Sequence, residues 1–235
     1  MPKIFEEAEQ LQFRFESQRI TGYRWNHPSE RKLMIIHGFE SSVINFDRYI
    51  KPLTRKGYEV LAFDAPAHGR STGKRINAVM YKELISHIYR NYGPVQSFLA
   101  HSLGGLALCL AIEEIKHDQN YRVALIAPAT ETTTAIDLFF RFLQMDEAVR
   151  KEFEKRIIKL REKPPAWYSI RRALKNIRAK VLWFHDEEDN ITLLSDAMKV
   201  KEENFSNVEF VITKGLGHRR IYRDNEVSRA VIEFL

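Results

Sequence analysis

The sequence predicts an α/β protein: a mostly parallel central sheet with helices on both faces. Three observations carry that prediction. Continuous apolar runs at 33–36, 60–63, 123–126 and 181–184 read as strands buried on both faces. Stretches of helical periodicity separate them, and alternating strand and helix is the pattern of a parallel sheet. The third is the stretch 97–105. There an apolar strand, a crowd of small residues around Ser102, and a helical run (Leu106, Leu108, Leu110, Ile112) follow without a break. Strand, tight turn, helix is the context that lifts a serine hydroxyl out of a sheet edge.

With 235 residues, 44% hydrophobic and 29% charged, the chain can bury a sizeable core, and one domain over 1–235 is expected. The formal charge is +6, but the basic residues are scattered and no arginine-rich tract appears. That argues against a nucleic-acid partner. Cys109 is the one cysteine, so no internal disulfide can form. The segment 1–7 lacks the apolar core of a signal peptide, and no stretch approaches a membrane span. A cytoplasmic protein with no membrane insertion is expected.

Taken in order, Leu11, Phe13 and Phe15 alternate with polar residues, which predicts a half-buried strand over 10–20. Residues 22–25 continue as a second strand, antiparallel to the first at the sheet edge. The first buried run stops at His37-Gly38-Phe39, and a helix over 46–56 ends at Gly57. The next strand runs into the loop 64–71, and a helix over 77–92 leads to the strand before Ser102. The alternation breaks between about 129 and 177, where helical patterns occur without a clear strand. Met145, Val149, Phe153 and Ile157 repeat every four residues as one amphipathic helix. Phe139 and Phe142 precede it, and Trp167 follows Pro164-Pro165. A helical insertion at the ligand-binding edge of a sheet reads as a lid. An ordinary pair of surface helices is the plainer account. Strand 181–184, helix 194–204, strand 208–212 and helix 225–235 complete the chain.

Loops leaving the carboxyl ends of parallel strands share one edge. Here those loops carry His37-Gly38, Ser102, the acidic run 186–189, and His218. A serine hydroxyl is a weak nucleophile that needs a base within reach, and the base needs an orienting carboxylate. His218, behind Gly215 and Gly217, is the candidate base. Asp189, where the loop turns back before Ile191, is the candidate acid, with Asp186 as the alternative. The backbone N–H groups of Leu103 and Phe39 are placed to hold an oxyanion. Phe139, Phe142 and Trp167 are the candidate substrate contacts. No metal or organic cofactor is implied.

These residues resemble the α/β-hydrolase superfamily over roughly 33–218. The resemblance rests on His37-Gly38-Phe39, the loop from Asp64 to Ser71, Ala100-His101-Ser102-Leu103-Gly104-Gly105, His185-Asp186-Glu187-Glu188-Asp189, and Gly217-His218. Ala100 and Asp186 stand where that pattern has glycine. Within the superfamily the chain is most similar to the monoacylglycerol-lipase and serine-aminopeptidase-like group, with a short lid. The resemblance implies an α/β-hydrolase fold and a serine hydrolase of a small, partly apolar ester or thioester, acting through an acyl-enzyme. It also supports Asp189 as the acid. Two other readings stay open: an amide or peptide hydrolase of the serine aminopeptidase type, and a hydrolase-fold protein that binds a small ligand without turning it over.

Overall fold

Strands form where the apolar runs fall. In the computed structural model, which describes residues 2–161 and 163–235, they are β1 (Glu9–Phe15), β2 (Gln18–Trp25), β3 (Lys32–Ile36), β4 (Glu59–Phe63), β5 (Ser97–His101), β6 (Arg122–Ile126), β7 (Lys180–Asp186) and β8 (Val208–Thr213). The helices are α1 (Asp47–Arg55), α2 (Ala78–Tyr92), α3 (Leu103–Ile112), α4 (Thr132–Phe142), α5 (Glu147–Arg161), α6 (Ile170–Ala173), α7 (Leu194–Glu202), α8 (Gly217–Arg220) and α9 (Asn225–Phe234).

The strands form one sheet in the order β1-β2-β4-β3-β5-β6-β7-β8. β2 pairs antiparallel with β1 and with β4, and every other pairing is parallel. The first strand is shorter than the alternation suggests. β1 stops at Phe15, Glu16 takes a left-handed φ of 51°, and β2 starts at Gln18. Side-chain periodicity cannot reveal this break, because a two-residue hairpin turn can be built from polar residues that also fit the strand pattern.

Period-two side-chain alternation sorts each strand between two cores. Met34, Ile36, Phe98 and Ala100 face α2, α3, α6 and α7. Leu33, Ile35, Leu99 and Ala124 face α1 and α9. α3 is the most enclosed helix, with every residue from Gly104 to Ile112 buried. It follows β5 directly and so fixes the elbow that carries Ser102. Local signals fit the helix starts. The Asn77 side chain accepts from Met80 N–H at the start of α2, and Asp224 accepts from Glu226 and Val227 N–H at the start of α9.

The segment between β6 and β7 departs from its expected packing. Its stripe predicts a buried face, yet Met145, Val149 and Phe153 are 44%, 47% and 39% exposed. Met145 lies in the turn before α5 rather than on it. Helical periodicity identifies one face of a helix but not whether anything covers it.

Candidate active site

Ser102 sits between β5 and α3 at φ 54° and ψ −126°, a combination that costs a non-glycine residue about 1–3 kcal/mol. The fold holds it there by hydrogen bonds on both sides. Its N–H donates to Ile126 O (3.2 Å), and its carbonyl accepts from Gly105 N–H (2.9 Å) and Ala129 N–H (3.0 Å). The elbow requires close backbone approach. A Cβ on Gly104 would stand 2.4 Å from His37 O and 2.9 Å from Ile36 O, and backbone atoms cannot swing aside. Two residues before the serine the constraint is looser, since the Ala100 methyl is absorbed into the core beneath α2 and α3.

The loops after β7 and β8 bring an acid and a base to the serine. His218 Nε2 lies 2.9 Å from Ser102 Oγ, and His218 Nδ1 lies 2.8 Å from Asp189 Oδ2. A carboxylate only accepts, so Nδ1 carries the imidazole proton and Nε2 presents its lone pair to the serine hydroxyl. Asp189 Oδ1 accepts from Ile191 and Thr192 N–H, both at 2.9 Å, and Oδ2 accepts from the Thr192 hydroxyl at 2.9 Å. Burial disfavours the charge on Asp189. The hydrogen bond from His218, its Coulombic attraction and the two backbone donors outweigh it, and hold the carboxyl below its ordinary range.

Asp186 has a different environment although it leaves the same strand. Its carboxylate accepts from Glu188 N–H (3.0 Å), Gly217 N–H (2.8 Å), Leu216 N–H (3.1 Å) and the Thr213 hydroxyl (2.7 Å). Burial opposes its charge too, but these donors prevail and lower its pKa. Where the family pattern has glycine, this chain thus has a carboxylate that ties down the loop carrying His218. Sequence reasoning weighed Asp186 only as an alternative acid. Its partners are backbone N–H groups of a loop some thirty residues on, for which the sequence carries no local signal.

His101 is buried beside the serine. Its Nε2 donates to His218 O (3.1 Å), its ring centroid stands 4.5 Å from that of Tyr222, and burial lowers its pKa to about 3. His37 accepts from Ala65 N–H through Nε2 (2.9 Å) and donates from Nδ1 to Gly38 O (2.7 Å); burial lowers its pKa to about 4. Asp64 accepts from Val43 and Arg70 N–H, each at 2.9 Å, and its loop packs under His37. The Leu103 N–H belongs to the first residue of α3, where no intrahelical acceptor exists. The Gly38-Phe39 backbone runs alongside, and a Cβ on Gly38 would be 2.7 Å from Ser102 Cβ.

The aromatic side chains expected to meet substrate have different surroundings. Phe139 is 51% exposed and Phe142 83% exposed, while Trp167 stacks under the Arg172 guanidinium at 3.8 Å. A cleft of about 670 Å³ is lined by Arg75, Val79, Met80, Phe153, Ile157 and Tyr168. It opens between α5 and the start of α2, whose Tyr81 hydroxyl donates to His37 O (3.0 Å). Among the described residues no three His, Cys, Asp or Glu side chains converge as metal ligands. No helix among them is long and apolar enough to cross a membrane.

The family model for serine aminopeptidase, S33, matches residues 27–166, more than half of the chain. An uncharacterized hydrolase of Bacillus subtilis, YugF, is 32% identical in an alignment 95 residues long that covers 38% of this chain. The chain spans about a third of that curated relative, 34% of its length. The Pyrococcus furiosus esterase Pf2001 superposes with a TM-score of 0.73 at 21% identity, covering 100% of this chain and 92% of that one. Mouse α/β hydrolase domain-containing protein 10 gives a TM-score of 0.66 at 16% identity, covering 96% of each chain. At these identities the two structures share the fold of this chain.

Proposed function

Because this chain belongs to the serine aminopeptidase S33 family of α/β hydrolases, we propose that it is a serine esterase, cleaving carboxylic esters or thioesters through Ser102, His218 and Asp189. The observation that carries the reading is the continuous hydrogen-bonded line from Ser102 Oγ through both nitrogens of His218 to Asp189 Oδ2. The mechanism follows from the proton positions. His218 Nε2 takes the Ser102 hydroxyl proton as Oγ attacks the substrate carbonyl carbon. Asp189 holds the Nδ1–H and stabilises the imidazolium. The Phe39 and Leu103 N–H groups hold the oxyanion, whose charge exists only after attack, so they favour the transition state over the substrate. The tetrahedral adduct collapses, the bond to the alcohol or thiol breaks, and the leaving group takes the proton from Nε2. Water then attacks the acyl carbon and gives a proton to His218 Nε2; the bond from that carbon to Ser102 Oγ breaks, Oγ takes the proton back from Nε2, and the carboxylic acid leaves.

The apolar cleft beneath α5 takes the acyl or alkyl part of the substrate, and the 129–177 insertion acts as a short lid over it. The partner is therefore a small, partly apolar ester. The test is hydrolysis of p-nitrophenyl esters from acetyl to lauroyl by wild type and Ser102→Ala, with circular dichroism to show that both fold. Turnover should fall by about 10⁴ or more in the variant, the scale for losing a nucleophile that acts with a base. Ester turnover that survives Ser102→Ala would overturn the reading. A folded wild type that cleaves no ester but cleaves amino-acid amides would favour the aminopeptidase chemistry of the family name.

A further inference from the structure

We infer that Thr192 is a positioning residue for the base and the acid together, an inference that rests on the function proposed above. Its hydroxyl oxygen lies 3.1 Å from His218 Nδ1, 2.9 Å from Asp189 Oδ2 and 3.1 Å from the Ala127 carbonyl oxygen. Its backbone is held on both sides. The N–H donates to Asp189 Oδ1 (2.9 Å), and the carbonyl accepts from His185 Nε2 (2.6 Å). His185 Nδ1 accepts in turn from the Trp183 indole N–H (3.3 Å), so that ring is locked as well.

A threonine hydroxyl has one proton and two lone pairs. The proton has two acceptors in reach, Asp189 Oδ2 and Ala127 O. Toward His218 the oxygen can only accept, because Nδ1 already carries a proton for the carboxylate. The Nδ1–H therefore points between two acceptors, the carboxylate nearer and the hydroxyl farther. Two consequences follow. The imidazole plane is pinned against tilting, which would carry Nε2 away from Ser102. The other tautomer is also disfavoured, because its Nδ1 lone pair would face the Asp189 carboxylate, and the Thr192 hydroxyl proton would have to leave its two oxygen acceptors to meet it. β-Branching keeps the hydroxyl in place, since χ1 of threonine is restricted. Valine fills the same space without the hydroxyl, and serine keeps the hydroxyl without the methyl.

The experiment compares wild type, Thr192→Val, Thr192→Ser and Ser102→Ala. It measures kcat and KM on p-nitrophenyl butyrate and the downfield proton resonance of His218 Nδ1–H by NMR. Thr192→Val should lower kcat about tenfold, the rate equivalent of one hydrogen bond, with KM within about twofold. Its Nδ1–H resonance should shift and broaden. Thr192→Ser should restore both. If Thr192→Val does not fold, Thr192→Ala takes its place. Wild-type kcat and an unmoved resonance in the valine variant would overturn the inference. So would equal impairment of the serine and valine variants, which marks packing alone. If wild type cleaves no ester, the function proposed above fails, and the resonance still decides the role of Thr192.

Discussion

The loops at the carboxyl edge of the sheet and the α4–α5 helices are held in opposite ways. At the edge, Ser102 and Asp189 are only 6% and 5% exposed, and their polar atoms are fixed by backbone donors and acceptors. In α4 and α5, Phe142 is 83% exposed, and the ion pairs run along the surface, Arg150 to Asp137 and Glu154, Lys155 to Glu152. Exposed pairs of this kind are screened by solvent and contribute little. The polar side chains at the edge are thus set by folding itself. Under the function proposed above, the chemistry would stay on the sheet and the insertion would bear on substrate choice.

The sharpest test of this contrast stays at the sheet edge, where two aspartates leave one strand for different work. Asp189→Asn should cut kcat by about 10⁴, because an amide can donate to His218 Nδ1 and trap the wrong tautomer. Asp186→Asn keeps the shape of the loop clamp but removes its charge. It should cost about 1–3 kcal/mol of stability, read by urea unfolding, while kcat falls no more than about tenfold. Equal losses of kcat in the two variants would mean that the acid has been misassigned.

Acid should also reach the sheet edge first. His37, His101 and His185 are all held below the ordinary histidine pKa by burial, the first two at about 4 and about 3. The unfolded chain binds protons at these histidines from about pH 6.5 downward while the fold refuses them, so stability falls as pH falls through that window. Asp186 and Asp189, held low by their donors, add to the loss below about pH 4, where the unfolded carboxyls protonate first. Asp64 and Glu131, raised by burial, work against the trend. The segment 129–177 contains no histidine. Unfolding free energy should therefore drop by several kcal/mol in order of magnitude between pH 7 and 4. His37→Asn should flatten the slope. A melting temperature unchanged from pH 7 to 5 would break the assignment of these histidines as neutral and buried.

Much of this sheet edge could be read in the sequence, and the reason is physical. Strands buried on both faces leave continuous apolar runs, and the elbow demands small residues at fixed offsets from Ser102. The order of Ser102, Asp189 and His218 then follows from which strand each loop leaves. Thr192 and Asp186 could not be given their contacts, because those depend on how two loops far apart in sequence fold against each other. The packing of the aromatics was not legible for a related reason. Phe139 and Phe142 on α4 are exposed, while Phe153 and Ile157 on α5 line the cleft, and helical periodicity alone does not say which of these side chains is covered.

The smallest effects should come from the helices, and they would show whether the cleft sizes the substrate. Phe153→Ala removes an aromatic wall while leaving Ser102, His218 and Asp189 untouched. It should lower kcat/KM for the lauroyl ester by about tenfold, the scale of one lost apolar side-chain contact, and leave the acetyl ester unchanged. Phe142→Ser should change neither ester nor stability by more than about 0.5 kcal/mol, as expected for a side chain already in water. The two variants sit on the same pair of helices and differ in whether the side chain meets the cleft. Should both esters fall together in Phe153→Ala, the helices would be supporting the sheet edge, and the separation of chemistry from recognition would be lost. Should neither fall, the acyl chain must leave Ser102 by another route.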